Sequence, residues 1–79
     1  MLKIGEVFCN KSRDYFYRII EIQPDKTLVS VEEFYKGDYI KYLGRFIWES
    51  YKVENYLIKI NKRCWYRVAR LININAKLK

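Results

Sequence analysis

The sequence predicts a mostly β domain, with a helix near the C-terminus at about residues 62–72. We expect either a small barrel or a strongly bent antiparallel sheet of five or six strands. Short apolar and aromatic segments recur at tight spacing along the 79 residues, which is typical of small sheets and barrels. Turn residues separate these segments, most clearly Gln23-Pro24-Asp25-Lys26, where Pro24 sets a corner and Asp25 can accept a hydrogen bond from nearby backbone. Near the C-terminus the apolar spacing changes to that of a helix.

The first part of the chain predicts three strands. Leu2–Phe8 alternates loosely and can bend at Gly5, since glycine often marks a bend in a strand. Tyr15–Ile22 is apolar on both faces, with Phe16, Ile20 and Ile22 on one side, which favours burial on both sides. Thr27–Phe34 follows the Pro24 turn, and we expect it to form a hairpin with Tyr15–Ile22.

The next part predicts three more short strands. Tyr39–Leu43 is the first, and Gly44 after it indicates a tight turn or a bulge. Phe46–Val53 is predicted as the second strand, with Phe46, Trp48 and Ser50 on one face and Ile47, Glu49 and Tyr51 on the other. Glu54-Asn55 can then form a two-residue reversal into a last strand, Tyr56–Ile60.

The stretch Asn61–Arg70 admits two interpretations. On a helix, Arg63, Arg67 and Arg70 fall on one side, and Trp65 falls with other apolar residues on the opposite side, which is the separation of an amphipathic helix. On a strand, each face mixes an arginine with apolar residues. The periodicity favours the helix, with Trp65 anchored in the core.

We expect residues 1–72 to form a single small β-barrel domain and residues 73–79 to form a basic C-terminal tail. The N-terminal residues lack a secretory signal pattern, and no apolar run has membrane-spanning length. These features predict a cytoplasmic protein. Its cysteines, Cys9 and Cys64, are then expected to be reduced, with Cys64 as a buried structural thiol.

The excess positive charge lies entirely in the second half of the chain. Residues 1–40 have a formal net charge of −1, whereas residues 41–79 have a net charge of +8. Such an asymmetry indicates a contact surface for a polyanion or an acidic protein.

Catalysis is not expected. The chain contains no histidine, and its three glycines, Gly5, Gly37 and Gly44, are isolated rather than grouped in a phosphate-binding loop. The two cysteines do not have the spacing of a metal site. We therefore predict a protein that is not an enzyme and that has no cofactor or metal.

Nucleic-acid binding is the leading hypothesis. The basic residues near the C-terminus can neutralise phosphates, and Tyr66 among them can stack on a base. Nothing in the pattern specifies a base sequence, so binding to DNA or RNA would be non-specific and driven by the backbone. The predicted contact residues are Lys59, Lys62, Arg63, Tyr66, Arg67 and Arg70, with Arg45 and Lys52 extending the surface.

The alternative is a protein–protein interaction module, such as a small inhibitor or adaptor of the kind that phages encode. It would dock the same basic face on an acidic protein surface. A weaker alternative is an aromatic cage for a cationic side chain, built from Tyr15, Tyr17, Tyr39 or Tyr42. If the barrel is incomplete, an open edge strand can pair with a second copy to form a homodimer.

An SH3-like barrel followed by a C-terminal helix resembles the layout of the small archaeal chromatin proteins. That resemblance implies DNA binding. It is a resemblance of architecture, and it assigns no role to any residue of this chain.

Overall fold

The computed structural model describes residues 1–68 and 70, and its main feature is a five-stranded antiparallel sheet. The strands are β1 (Val7–Cys9), β2 (Tyr15–Ile22), β3 (Leu28–Lys36), β4 (Ile40–Glu49) and β5 (Ile58–Ile60), in the order β4-β3-β2-β1-β5. Two short helices accompany the sheet: α1 (Ser50–Tyr56) and α2, which comprises residues 62–68 and 70. The predicted mostly β class is confirmed, and the sheet is open rather than closed into a barrel.

The hairpin of β2 and β3 is formed as predicted. The backbone N–H of Gln23 donates to the Leu28 carbonyl at 3.0 Å, and the N–H of Lys26 donates to the Gln23 carbonyl at 2.8 Å. The Asp25 carboxylate accepts a hydrogen bond from the Thr27 N–H at 3.1 Å. Turn chemistry visible in the sequence therefore sets this reversal.

Each face of the sheet has its own core cluster. Alternation along β1 explains the division, because Val7 and Cys9 point to one face and Phe8 to the other. The first core cluster contains Leu2, Phe8, Tyr17, Ile19, Val29, Val31 and Val53. The second core cluster contains Val7, Cys9, Phe16, Phe34, Ile40, Ile60 and Val68.

Each helix covers one of these faces. Helix α1 packs on the first core cluster through Val53, and α2 packs on the second through Val68. Trp48 lies against the first cluster and Trp65 against the second, so the predicted core packing of Trp65 is confirmed.

A register shift in β2 corrects one predicted face. The pairing with β3 is irregular between Ile19 and Glu21. Because an extra residue in a strand reverses the side-chain alternation, Ile22 packs against the first core cluster while Phe16 belongs to the second. The prediction that Ile22 shares a face with Phe16 was wrong for this reason.

Residues 40–49 form one strand where the sequence predicted parts of two. Gly44 has a φ of +122° and lies at a register shift opposite Glu33 and Phe34. The left-handed backbone there favours glycine. Of the two predicted roles for Gly44, the bulge is the one observed, and β4 continues through it.

The predicted strand Phe46–Val53 was wrong in its second half, because Ser50–Tyr56 is helix α1. The predicted reversal at residues 54–55 was wrong as well, since both residues lie within this helix. Ser50 and Val53 are buried, and Leu57 packs on the same cluster. The three-residue spacing of Ser50 and Val53 places both on the buried side of α1, and Leu57 follows directly after the helix.

The first and the last strands in sequence are shorter than predicted. Residues 4–5 form a turn, with φ of +92° at Gly5 and a hydrogen bond from the Glu6 N–H to the Lys3 carbonyl at 3.2 Å. Strand β1 consequently begins at Val7. Strand β5 is limited to Ile58–Ile60 because α1 extends to Tyr56.

The predicted C-terminal helix is confirmed at 62–68 and at 70. The Asn61 side-chain oxygen accepts a hydrogen bond from the Cys64 N–H at 2.8 Å, which caps the first turn. The remainder of the predicted helix, and the predicted tail at 73–79, lie outside the described residues.

The two cysteines are free and differ in exposure. Cys9 is buried in the second core cluster, and burial raises the pKa of its thiol. Cys64 is exposed, so the prediction of a buried thiol was wrong there. Neither α1 nor the described part of α2 is long and apolar enough to span a membrane.

Adjacent residues of α2 provide a stability test. Trp65→Ala should lower the free energy of unfolding by about 3 kcal/mol, because it removes a large aromatic side chain that packs on the second core cluster. Tyr66→Ala is the matched control, since the Tyr66 side chain is 62% exposed, and it should change stability by less than about 0.5 kcal/mol. Urea denaturation measures both, and equal losses in the two variants would contradict the observed orientation of α2.

Candidate functional site

The outer side of α2 presents a row of exposed cations. Arg63, Arg67 and Arg70 are all exposed, and their spacing of four and three residues aligns them on one side of the helix. Lys62 and Tyr66 flank this row and are also exposed. We call these five residues the arginine face.

The opposite side of α2 fixes the orientation of the arginine face. The ring of Trp65 lies 5.3 Å from the ring of Phe34, centroid to centroid. The Arg18 guanidinium lies 5.7 Å from the Trp65 ring and 5.9 Å from the Phe34 ring, within the range of a cation–π interaction. Arg18 thus contacts both aromatic rings of this junction.

Arg18 is itself held by Glu32 on the neighbouring strand. The Arg18 Nε donates to Glu32 Oε1 at 3.1 Å, and Nη2 donates to the same oxygen. The two residues are direct partners across β2 and β3. Arg18 was not among the predicted site residues; the available signal was a single basic residue within the otherwise apolar and aromatic stretch Tyr15–Ile20.

Within residues 1–68 and 70, none of the four cations of the arginine face forms an ion pair. Other bases are paired: Arg18 with Glu32, Lys52 with Glu49 at 3.2 Å, and Lys59 with Glu6. The arginine face therefore presents charge that the described acids do not neutralise, and a polyanion can take up those contacts.

A cleft of about 510 Å³ lies beside the start of α2. One wall is formed by residues 3–7, which lead into β1. The other is formed by residues 59–62 and Trp65, which belong to the end of β5 and the start of α2. Lys62 belongs both to this cleft and to the arginine face, so the two features are continuous. The cleft, which we call the lysine cleft, is lined by Lys3, Ile4, Gly5, Glu6, Val7, Lys59, Ile60, Asn61, Lys62 and Trp65.

Glu6 is the acidic residue of the lysine cleft, and two neighbours fix its carboxylate. Oε1 accepts a hydrogen bond from the Lys3 backbone N–H at 2.6 Å, and Oε2 is ion-paired with Lys59 Nζ. Burial acts to raise the pKa of Glu6, but the hydrogen bonds and charges of Lys59 and Lys3 together outweigh it and hold the pKa below its usual value. The carboxylate is consequently ionised near neutral pH.

Six of the eight predicted contact residues lie at this site. Lys62, Arg63, Tyr66, Arg67 and Arg70 form the arginine face, and Lys59 lines the adjoining cleft.

Arg45 and Lys52 are not brought to this site. Arg45 lies on β4, the edge strand on the far side of the sheet from β5, directly across from Glu32. Lys52 lies on α1 and pairs with Glu49.

The tyrosines proposed for an aromatic cage are distributed over both faces of the sheet. Tyr15 and Tyr17 are on the first core cluster's face, and Tyr17 is buried with its pKa raised by burial and by Glu33. Tyr42 packs against Phe34 on the other face, with ring centroids 5.4 Å apart. No cage is formed by these three rings.

Lys3 and Glu6 were also absent from the predicted site residues. They are separated by more than fifty residues from Lys59 and Lys62, and only the pairing of β1 with β5 brings the two segments together. In the part of the chain that the structure describes, no three His, Cys, Asp or Glu residues are grouped so as to hold a metal ion.

The chain matches no protein-family model, no curated protein and no solved structure.

The lowered pKa of Glu6 predicts a specific pH dependence. A carboxyl group whose pKa is lower in the folded state contributes stability above its unfolded pKa, taken as 4.5, and loses it as pH falls through the folded pKa. Between about pH 5 and pH 3 the wild type should therefore lose more stability than Glu6→Gln. Urea titrations across this range measure the difference, with Glu21→Gln as a control at an exposed carboxylate that forms no ion pair among the described residues. Parallel curves for wild type and Glu6→Gln would refute the assignment.

Proposed function

We propose that this protein is a non-catalytic nucleic-acid-binding domain that contacts phosphates through its arginine face. The observation that carries the proposal is the alignment of Arg63, Arg67 and Arg70 on the exposed side of α2, without ion pairs among the described residues. A guanidinium matches the oxygens of a phosphate with two parallel hydrogen bonds. These side chains need not break an existing ion pair with a described acid in order to bind.

The dimensions of the row suit a polyphosphate. Arg63 and Arg70 are seven residues apart, which corresponds to about 10 Å along a helix axis. Nucleic acids carry charges at spacings of only a few ångströms, so a backbone along α2 can meet several of the cations at once. Tyr66, which is exposed beside the row, is available to stack on a base or sugar.

Docking on an acidic protein surface is the competing use of the same face. Both functions need unpaired cations, but only nucleic acid provides a regular series of phosphates and a base to stack. A cytoplasmic location is part of our proposal and is supported by the two free thiols, Cys9 and Cys64.

Binding to short oligonucleotides across a salt series tests the proposal. Four phosphate contacts, by Lys62 and the three arginines, predict a slope of log affinity against log salt of about −3.6 for duplex DNA and about −2.8 for a single strand. No binding at low salt would overturn the proposal and favour the acidic protein partner.

Charge reversal locates the contact surface. The triple variant Arg63→Glu, Arg67→Glu, Arg70→Glu should reduce the duplex slope to about −0.9 or abolish binding, because at most one of the four contacts remains. The matched control is Lys26→Glu, Lys36→Glu, Lys41→Glu, which changes net charge equally at three exposed lysines outside the arginine face. Circular dichroism checks that both variants are folded, and a similar loss of binding in the two variants would show that net charge alone, rather than the arginine face, drives association.

A further inference from the structure

We propose that the lysine cleft accepts an unpaired nucleobase, so that the protein prefers single-stranded nucleic acid to a duplex. This inference rests on the proposed function and assigns a second role to the site. The cleft lies next to the arginine face and combines apolar walls, three lysines and a carboxylate that is held by hydrogen bonds.

The walls and size of the cleft suit a flat, partly apolar group. Ile4, Val7, Ile60 and Trp65 line it, and its volume of about 510 Å³ falls within the range of small-ligand sites. Gly5 leaves room in the lining, because no heavy atom lies within 4 Å of the position that a Cβ would take there.

Trp65 gives the cleft a rigid wall. Its ring contacts Phe34 and lies beside the Arg18 guanidinium, so the side chain is already held before any ligand binds. A pre-ordered aromatic group loses little conformational entropy when a base packs against it. The same residue that holds α2 on the sheet thus also borders the cleft.

The polar groups of the cleft match the two parts of a nucleotide. Lys3, Lys59 and Lys62 line the cleft and can bind the phosphates on either side of an inserted base. Glu6 has two occupied hydrogen-bonding positions, to the Lys3 N–H and to Lys59, whereas a carboxylate can accept about four hydrogen bonds. Its remaining acceptor capacity can bind the amino group of a base.

Continuity with the arginine face explains the preference for a single strand. Lys62 belongs to both features, so a backbone that follows α2 reaches the cleft at the start of the helix. The bases of a duplex are paired and stacked, and moving one out costs free energy. A flexible single strand can insert a base at much lower cost, while the exposed arginine face can contact the phosphates of either form.

An abasic oligonucleotide separates base recognition from phosphate binding. In a Tyr66→Ala background, which removes the stacking proposed for that exposed residue, a mixed-sequence single-stranded 12-mer should bind about five- to 150-fold more tightly than an abasic 12-mer at the same salt, which is the effect of stacking one base. In a Trp48→Phe background, where Trp65 is the remaining tryptophan, the normal oligonucleotide should change the Trp65 emission and the abasic one should not.

Two isoleucines of equal exposure provide matched variants. Ile4 in the cleft and Ile47 on β4 are each 67% exposed, so replacing either with Glu should leave the fold intact and changes net charge equally. Ile4→Glu places a carboxylate in the cleft, and in the same Tyr66→Ala background it should remove the difference between normal and abasic strands. Ile47→Glu should retain that difference.

The outcomes distinguish this inference from the proposed function. Equal affinity of the wild type for normal and abasic strands, with binding still lost in the triple arginine variant, would overturn the base site and leave phosphate binding intact. Equal effects of Ile4→Glu and Ile47→Glu on base discrimination would also overturn it. Failure of the wild type to bind any oligonucleotide at low salt would overturn both proposals.

Discussion

The contact between Trp65 and Phe34 determines how the rest of the candidate site is arranged. It holds α2 against the second core cluster, and Arg18, fixed by Glu32, lies against both rings. Because the apolar side of α2 is attached in this way, the arginines three and four residues apart must face outward. The same contact supplies the aromatic wall of the lysine cleft. One side of this short helix therefore packs on the core, and the opposite side presents positive charge to solvent.

The described ion pairs leave the positive charge of the arginine face without a partner among the described acids. The described acids that form ion pairs, such as Glu6, Glu32 and Glu49, neutralise bases elsewhere in the fold. The four cations of the arginine face form no ion pair with a described acid, and they are grouped on α2. Net charge by itself would favour association with any polyanion. The open row on one side of α2 and the adjoining cleft are what make particular contacts and a strand preference testable.

The sequence predicted the parts of the fold that depend on local patterns. Alternation and the Pro24 turn identified the β2–β3 hairpin, and apolar spacing identified α2 with Trp65 inward. Helix α1 was missed because Ser50–Tyr56 contains two tyrosines and a valine, which favour strands locally, whereas packing of Val53 on the core determined the outcome. The arginine face was predictable from helical spacing alone. The lysine cleft was not, since its lysines come from both ends of the described chain and meet only through the β1–β5 pairing.

The order of the strands has a consequence for folding. Strands β2, β3 and β4 pair with their neighbours in sequence, whereas β5 pairs with β1 across most of the chain. Local pairings form readily, and a contact between distant segments requires a large loop to close first. We therefore expect the β1–β5 ladder to form late, after the meander of the other strands. The lysine cleft exists only once that ladder has formed, so a partly folded chain, on the ribosome or after local opening, would lack it. The chain would then be able to bind a base only after the whole sheet has formed.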